Sequence, residues 1–212
     1  MNRDEALFWL KVDNKSSEFY QLIDLSNQQS RKQFGTRGYV FAQIGMNAEP
    51  CSKGCKFCSL GMSHYSVGDK WQKGIEDLKS EIQQLLSEEM DDFFLMTTAD
   101  YSINKFIKIA TEVRKLLPDE VRFVVNVGDF DLETAKELKA IGVTGAYHIK
   151  RLREGIDTFI EPQLREKTIE NIVKARLELY YCIEPIGPEH SYEEILDSIY
   201  FASQFLIDAM AV

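Results

Sequence analysis

The chain has 212 residues, of which 44% are hydrophobic and 28% charged, and a formal charge of −9. That is the composition of an ordinary soluble protein long enough for one cored domain, and the acidic balance excludes a general nucleic-acid-binding surface, which needs a basic patch to release counterions. The N-terminus Met1-Asn2-Arg3-Asp4-Glu5 leads into no apolar run of signal-peptide or membrane-span length, so the expectation is a cytoplasmic protein with no membrane and no nucleic-acid partner.

Taken in order, residues 15–34 read as a helix with Phe19, Leu22, Ile23 and Leu25 on its apolar face and Gly35 as its stop. Residues 1–34 are therefore expected to form a capping region, and 35–212 the core. Tyr39 to Ile44 reads as a first buried strand. A helix follows over Ile75–Leu86, then a strand at Phe93–Thr97, and the alternation continues: helix 103–117, strand 121–126, helix 131–141, strand 143–149, helix 166–176, strand 177–183, helix 192–205 and a last apolar run from Phe205 to Val212. Six strands alternating with helices of ten or more residues predict an α/β fold of parallel βα units, a partial TIM-type (β/α) barrel with outer helices. In such a barrel the chemistry sits on loops at the carboxyl ends of the strands. Polar or glycine-rich stretches recur there: a cysteine loop after the first strand, Thr97-Thr98-Ala99-Asp100-Tyr101 after the second, Asn126-Val127-Gly128-Asp129 after the third, His148 to Glu154 after the fourth, and Glu184-Pro185-Ile186-Gly187 after the fifth.

The cysteine loop is Cys51-Ser52-Lys53-Gly54-Cys55-Lys56-Phe57-Cys58, with spacing C-x3-C-x2-C. An odd number of clustered thiols argues against a disulfide framework, and structural zinc normally takes four ligands, whereas His64, His148 and His190 are scattered. A four-iron cluster normally takes four thiolates. Three would leave one iron open to bind something else. Cys182 lies in an apolar strand and reads as core, with a second-cluster or radical-quenching thiol as the other reading.

The loop resembles the radical S-adenosylmethionine (SAM) signature, including Phe57 directly before Cys58. Beyond it, from about residue 35 onward, the chain resembles the biotin synthase-like branch of that superfamily, which includes biotin synthase, the [FeFe]-hydrogenase maturase HydE and methylornithine synthase. The segments that carry the likeness are Asn126 to Tyr147, Leu164 to Asn171, and Glu184 to His190 followed by Glu193-Glu194. The resemblance implies a [4Fe-4S] cluster on Cys51, Cys55 and Cys58, and SAM chelating the open iron. Reductive cleavage then yields a 5′-deoxyadenosyl radical that abstracts hydrogen from a small organic substrate. It also implies a reductant such as flavodoxin or ferredoxin, and sensitivity to oxygen. On the same ground Phe57 stands beside the adenine, and Thr97, Thr98 and Asp100 take the place of the residues that contact the SAM amino group, although the branch's usual glycine- and glutamate-containing motif is absent. Glu154 stands for the ribose-binding acid and Arg165 for the arginine that pairs with the SAM carboxylate, a task suited to a planar bidentate donor. Asn126 and His148 face adenosine or substrate, and Ile186 completes the candidate cofactor contacts.

Each residue has a plainer reading: Arg165 as a solvated residue at a helix start, Glu154 as a surface charge, His148 as a packed histidine, Asn126 as a bond to loop backbone. Two other functions compete with the enzyme, a non-catalytic iron–sulfur or SAM-binding module and a zinc-binding structural protein. Members of this branch continue well past the point where this chain stops, so either a shortened six-stranded barrel or a fragment prone to self-association is expected.

Overall fold

A computed structural model describes residues 1–86 and 89–211. The elements run in chain order as α1 (Arg3–Leu10), α2 (Ser17–Phe34), β1 (Phe41–Gly45), β2 (Asn47–Ala48), β3 (Trp71–Gln72), α3 (Ile75–Leu85), β4 (Asp92–Met96), α4 (Ile103–Arg114), β5 (Arg122–Asn126), α5 (Leu132–Ala140), β6 (Gly145–Tyr147), α6 (Pro162–Lys174), β7 (Glu178–Cys182), α7 (Tyr192–Ala202) and β8 (Ala209–Ala211). Six strands form one sheet in the order β1-β4-β5-β6-β7-β8, and every neighbouring pair is parallel. This is a (β/α) half-barrel of six parallel strands with outer helices, as the alternation of periods predicts. Val212, the end of the last apolar run, lies outside the described residues.

Side-chain alternation sorts each strand into two faces. Ile44, Phe93, Leu95, Phe123, Val125, Ala146 and Leu179 point outward and meet Leu78, Ile82, Phe106, Leu138, Ile169 and Ile172 of the surrounding helices in the main core. Fully burying one such side chain stabilises the fold by about 1.5–3 kcal/mol. The inward positions Phe41, Gln43, Phe94, Met96, Asn126, Tyr147, Tyr180 and Ala209 line a lumen of about 720 Å³. Its lower part is apolar, with Phe94 edge-on to Tyr180 at 5.3 Å. Tyr180 reaches across because Gly145 on the adjacent strand has no side chain; a Cβ there would stand 2.8 Å from its ring.

Helix ends follow the local sequence. Asp131 caps α5 by accepting from the Thr134 amide. Ser191 and Glu194 form a capping box on α7, and Ser16 caps α2, with Gly35 at its far end. α6 begins at Pro162, earlier than the apolar spacing indicates, because proline suits the first helical turn. The predicted strand 143–149 narrows to β6, since His148 to Lys150 already turn into the loop above it.

α1 and the short hairpin of β2 with β3 have no counterpart in the predicted elements. α1 lies against α7 through Arg3–Asp197 (2.6 Å) and Lys11–Glu193 (2.8 Å). Neither α1 nor α2 has a buried residue. On α2's apolar face Ile23 and Leu25 are exposed, and its C-terminal turn stands beside the lower opening between β1 and β8, where Phe34, Tyr39 and Met210 line a further cavity with Arg37 and Arg122. No described helix is long and apolar enough to cross a membrane.

Candidate cofactor and substrate site

The loops that leave the carboxyl ends of the strands converge. Cys51, Cys55 and Cys58 line one pocket together with Thr97, Thr98, Asn126, Tyr147, His148, Arg151 and Arg165. Cys55, Cys58, Asn126, Tyr147 and Arg151 also line the lumen. The cysteine loop therefore stands in the wall between two connected spaces, one roofed by polar loops and the other extending down into the sheet.

Around the first pocket the donors are unevenly used. Thr98 is buried, exchanging two bonds with Asn47: its amide donates to Asn47 Oδ1 (3.0 Å) and its Oγ1 accepts from Asn47 Nδ2 (2.9 Å). Thr97 Oγ1, Arg151 Nε and Arg165 Nε, in contrast, are buried and have no hydrogen-bond partner. The fourth such atom among the described residues, His190 Nε2, sits in the loop between β7 and α7. Leaving a buried polar group unpaired costs about 1–3 kcal/mol. The residues that carry the first three all line one pocket, and the two Nε atoms keep only long ion-pair contacts, Arg151 to Glu184 Oε1 at 3.8 Å and Arg165 to Glu154 Oε2 at 3.6 Å.

Arg165 itself is deeply buried. Its Nη1 lies 3.3 Å from Asp129 Oδ1 and 3.3 Å from His148 Nε2, and its Nε lies 3.6 Å from Glu154 Oε2. Asp129 also receives His148 Nε2 (3.0 Å) and the Thr168 hydroxyl (3.1 Å). Burial pushes the Asp129 carboxyl up, but the His148 bond and the Arg165 charge outweigh it and hold the group below the usual carboxylate range. Burial depresses His148 and favours the neutral ring. Arg165 and Thr168 are three residues apart on α6, which places both on the face toward Asp129.

The other candidates divide. Glu154 is buried, accepting from the Arg151 amide (3.0 Å) and the Thr158 hydroxyl (2.6 Å). Asp100 is turned to the cysteine loop, where it accepts from the Ser52 amide and hydroxyl and pairs with Lys53 at 3.6 Å. Phe57 is partly exposed and borders the lumen, with the Arg151 guanidinium 5.6 Å from its ring centre. Ile186 is exposed and lines neither space. Cys182 is buried in the main core. Sequence reading passed over Arg151 and Asp129; an arginine and an acid in loops at the same end of parallel strands were the available signal.

The donor set suits a soft-metal cluster: three free thiols on one loop, with burial pushing the Cys55 thiol up and so disfavouring its uncompensated thiolate. Among the described residues no three His, Cys, Asp or Glu side chains are gathered so as to hold a metal ion; the three thiols share the lining of one pocket.

No protein-family model matches the chain. Among curated proteins it is similar to biotin synthase of Clostridioides difficile (strain 630), with 26% identity over 206 residues covering 91% of this chain and 62% of that protein. Among solved structures, methylornithine synthase superposes with a TM-score of 0.89 at 14% identity, over 100% of this chain and 64% of that one. The [FeFe]-hydrogenase maturase HydG from Carboxydothermus hydrogenoformans gives 0.78 at 16% identity, over 96% and 49%. Streptococcus suis SuiB, solved bound to S-adenosylmethionine, gives 0.58 at 13% identity, over 95% and 47%. The chain thus spans less than two thirds of the length of each of these relatives, and the structural likenesses are likenesses of fold. The likeness to biotin synthase expected from the motifs is met in sequence, and the barrel expected from the alternation of elements is met in fold.

Proposed function

We propose that this chain is a radical SAM protein of the biotin synthase-like group, in which Cys51, Cys55 and Cys58 hold a [4Fe-4S] cluster beside a SAM site. The observation that carries this reading is the set of unpartnered donors, Thr97 Oγ1, Arg151 Nε and Arg165 Nε, around the pocket that the three cysteines also line. When bound, the cluster and SAM supply the chemistry, a reductive cleavage to a 5′-deoxyadenosyl radical that takes hydrogen from a substrate. Arg165 offers a fixed cation to the SAM carboxylate, with Asp129 and Glu154 holding its plane. Thr97 offers a hydroxyl that no protein group uses. Asn126, Tyr147 and Arg151 stand at the passage into the lumen, which is shielded by the sheet and large enough for a small organic substrate. The reduced cytoplasm and a reductant of the flavodoxin or ferredoxin kind belong to the same proposal.

The test is anaerobic reconstitution with iron and sulfide, addition of SAM and a strong reductant, and measurement of 5′-deoxyadenosine beside a Cys55→Ala control. Deoxyadenosine above the control is the expected result. Iron held without deoxyadenosine points instead to a non-catalytic cluster-binding module, and failure to hold iron overturns the reading.

A further inference from the structure

The cysteine loop is clasped by a segment about a hundred residues away in sequence, the stretch Arg151–Ile160 between β6 and α6. The Lys56 amide donates to the Asp157 carbonyl (2.9 Å), and the Phe159 amide donates to the Lys53 carbonyl (2.7 Å). Lys56 Nζ and Asp157 Oδ1 add an ion pair at 2.6 Å. These bonds grip the backbone on both sides of Gly54-Cys55. Gly54 has φ +58, a backbone conformation that favours glycine, and the Phe159 ring packs over it.

The segment is itself tied at two points. Thr158 is buried, and its hydroxyl uses its full bonding capacity. It donates to Glu154 Oε1 (2.6 Å) and accepts from the amides of Gly155 (3.1 Å) and Ile160 (3.3 Å). Glu154 Oε2 in turn accepts from the Arg151 amide, which closes the segment on itself. The second tie is Arg153, at φ +53, held by Glu194 Oε1 (3.0 Å) and the Glu189 carbonyl (2.8 Å). A non-glycine residue in that region persists where its surroundings over-determine it.

We infer that Arg151–Ile160 is a brace that presets the cysteine loop, and that Thr158 is the positioning residue that keeps the brace shut. Valine in place of Thr158 keeps the shape but leaves a buried carboxylate oxygen and two amides without their partner. The brace then opens and the loop loses its grip at Lys53 and Lys56, although Thr158 does not touch a cysteine. The inference concerns the metal-free chain; only its last consequence rests on the cluster reading.

The experiment compares the wild-type chain with Thr158→Val, Thr158→Ser and Asp157→Asn. The first readout is hydrogen–deuterium exchange of the metal-free proteins. Thr158→Val is expected to raise exchange at the Lys56 amide and across 51–58 by at least about tenfold, the change that the loss of even one of the three Thr158 hydrogen bonds produces in a local opening equilibrium. Exchange in α4 and β5 stays unchanged, and Thr158→Ser restores protection. If Thr158→Val does not fold, Asp157→Asn decides, with an expected increase of about threefold confined to the same loop. The second readout is iron retained through anaerobic gel filtration and the low-temperature EPR signal of the reduced protein. Thr158→Val is expected to lose iron faster and broaden the signal, and serine to recover both. Unchanged loop exchange in the folded valine variant, or in Asp157→Asn where valine fails to fold, overturns the brace. A wild type that holds no iron sinks the cluster reading, and the exchange data still decide this one.

Discussion

At the amino ends of the strands Asp92 is completely buried and both its oxygens are taken, one by Arg122 Nε and the other by the Tyr180 hydroxyl at 3.1 Å. At the carboxyl ends of the same sheet Arg165 is buried beside two carboxylates, yet its Nε has no hydrogen bond, and neighbouring Thr97 Oγ1 and Arg151 Nε are in the same condition. The two clusters also differ in how burial is answered. For Asp92, burial prevails over Arg122 and Tyr180 and the carboxyl is pushed up; for Asp129, burial is overcome by His148 and Arg165 and the carboxyl is held down. The cluster at the amino ends, the floor, has its polar atoms paired, whereas the mouth carries three side-chain donors without a hydrogen bond. Buried polar groups are satisfied almost everywhere in folded proteins, so the difference separates what holds the barrel from what awaits a ligand.

The comparison breaks most sharply through its two extremes. Cys55→Ala should abolish iron binding outright, measured as iron and sulfide per chain, while the urea unfolding curve of the metal-free protein moves by no more than about 0.5 kcal/mol. Asp92→Ala should do the reverse. It leaves Arg122 and Tyr180 without their partner and costs about 3 kcal/mol by urea unfolding, at the lower end for a broken buried pair because Arg122 reaches solvent. The folded fraction should still bind iron as the wild type does. If Asp92→Ala removed iron binding from folded protein, the floor and the mouth would be one cooperative unit and the division would fail.

A finer test deletes one hydroxyl at each end. Tyr180→Phe removes a paired hydroxyl and should cost about 1 kcal/mol of stability, with no change in SAM affinity. Thr97→Val removes an unpaired one. Metal-free stability should stay level or rise by up to about 1 kcal/mol, since an unsatisfied buried group is gone. SAM affinity of the reconstituted protein, by calorimetry, should fall about fivefold. Equal stability losses in the two variants would show that the Thr97 hydroxyl serves the fold.

The contrast between floor and mouth also explains which parts of the molecule could be read from the chain. Strand and helix periods are local, so β4, α4, β5 and α7 fall where the spacing of Phe93, Leu95, Phe106, Val125 and Ile195 places them. The three cysteines are legible because their spacing is itself a motif. α1 and the β2–β3 hairpin escaped because eight residues of weak amphipathicity and two-residue strands leave no period to detect. The pairings around Arg165 escaped for another reason. Asp129 and Arg165 are 36 residues apart, and Asn47 and Thr98 are 51 apart; only the sheet order brings them together. Thr97 and Thr98 are chemically identical neighbours in the sequence. What distinguishes them is that Asn47 reaches one and not the other.

The smallest expected effect is the proton-linked one at the mouth. His148 is buried and its folded pKa lies below the usual value of about 6.5, because burial and the nearby arginines oppose its charge more than Asp129 favours it. The native state therefore binds fewer protons than the unfolded chain, and stability falls as pH drops through the unfolded pKa toward the folded one. Asp129 is held below the usual carboxylate range and stays charged across this window, while Asp92, pushed up by burial, is common to wild type and variant and cancels in their difference. Between pH 7 and pH 6 the loss from one such histidine is at most about 0.7 kcal/mol, the limit reached when the folded ring takes up no proton in this interval. Urea unfolding of wild type and His148→Gln at the two pH values isolates it: the wild type should lose up to that amount more than the variant. A wild type that gained stability over the same interval relative to His148→Gln would mean that Asp129 holds the imidazole charged, and the mouth would then carry a buried cation pair, His148 with Arg165, on a single carboxylate.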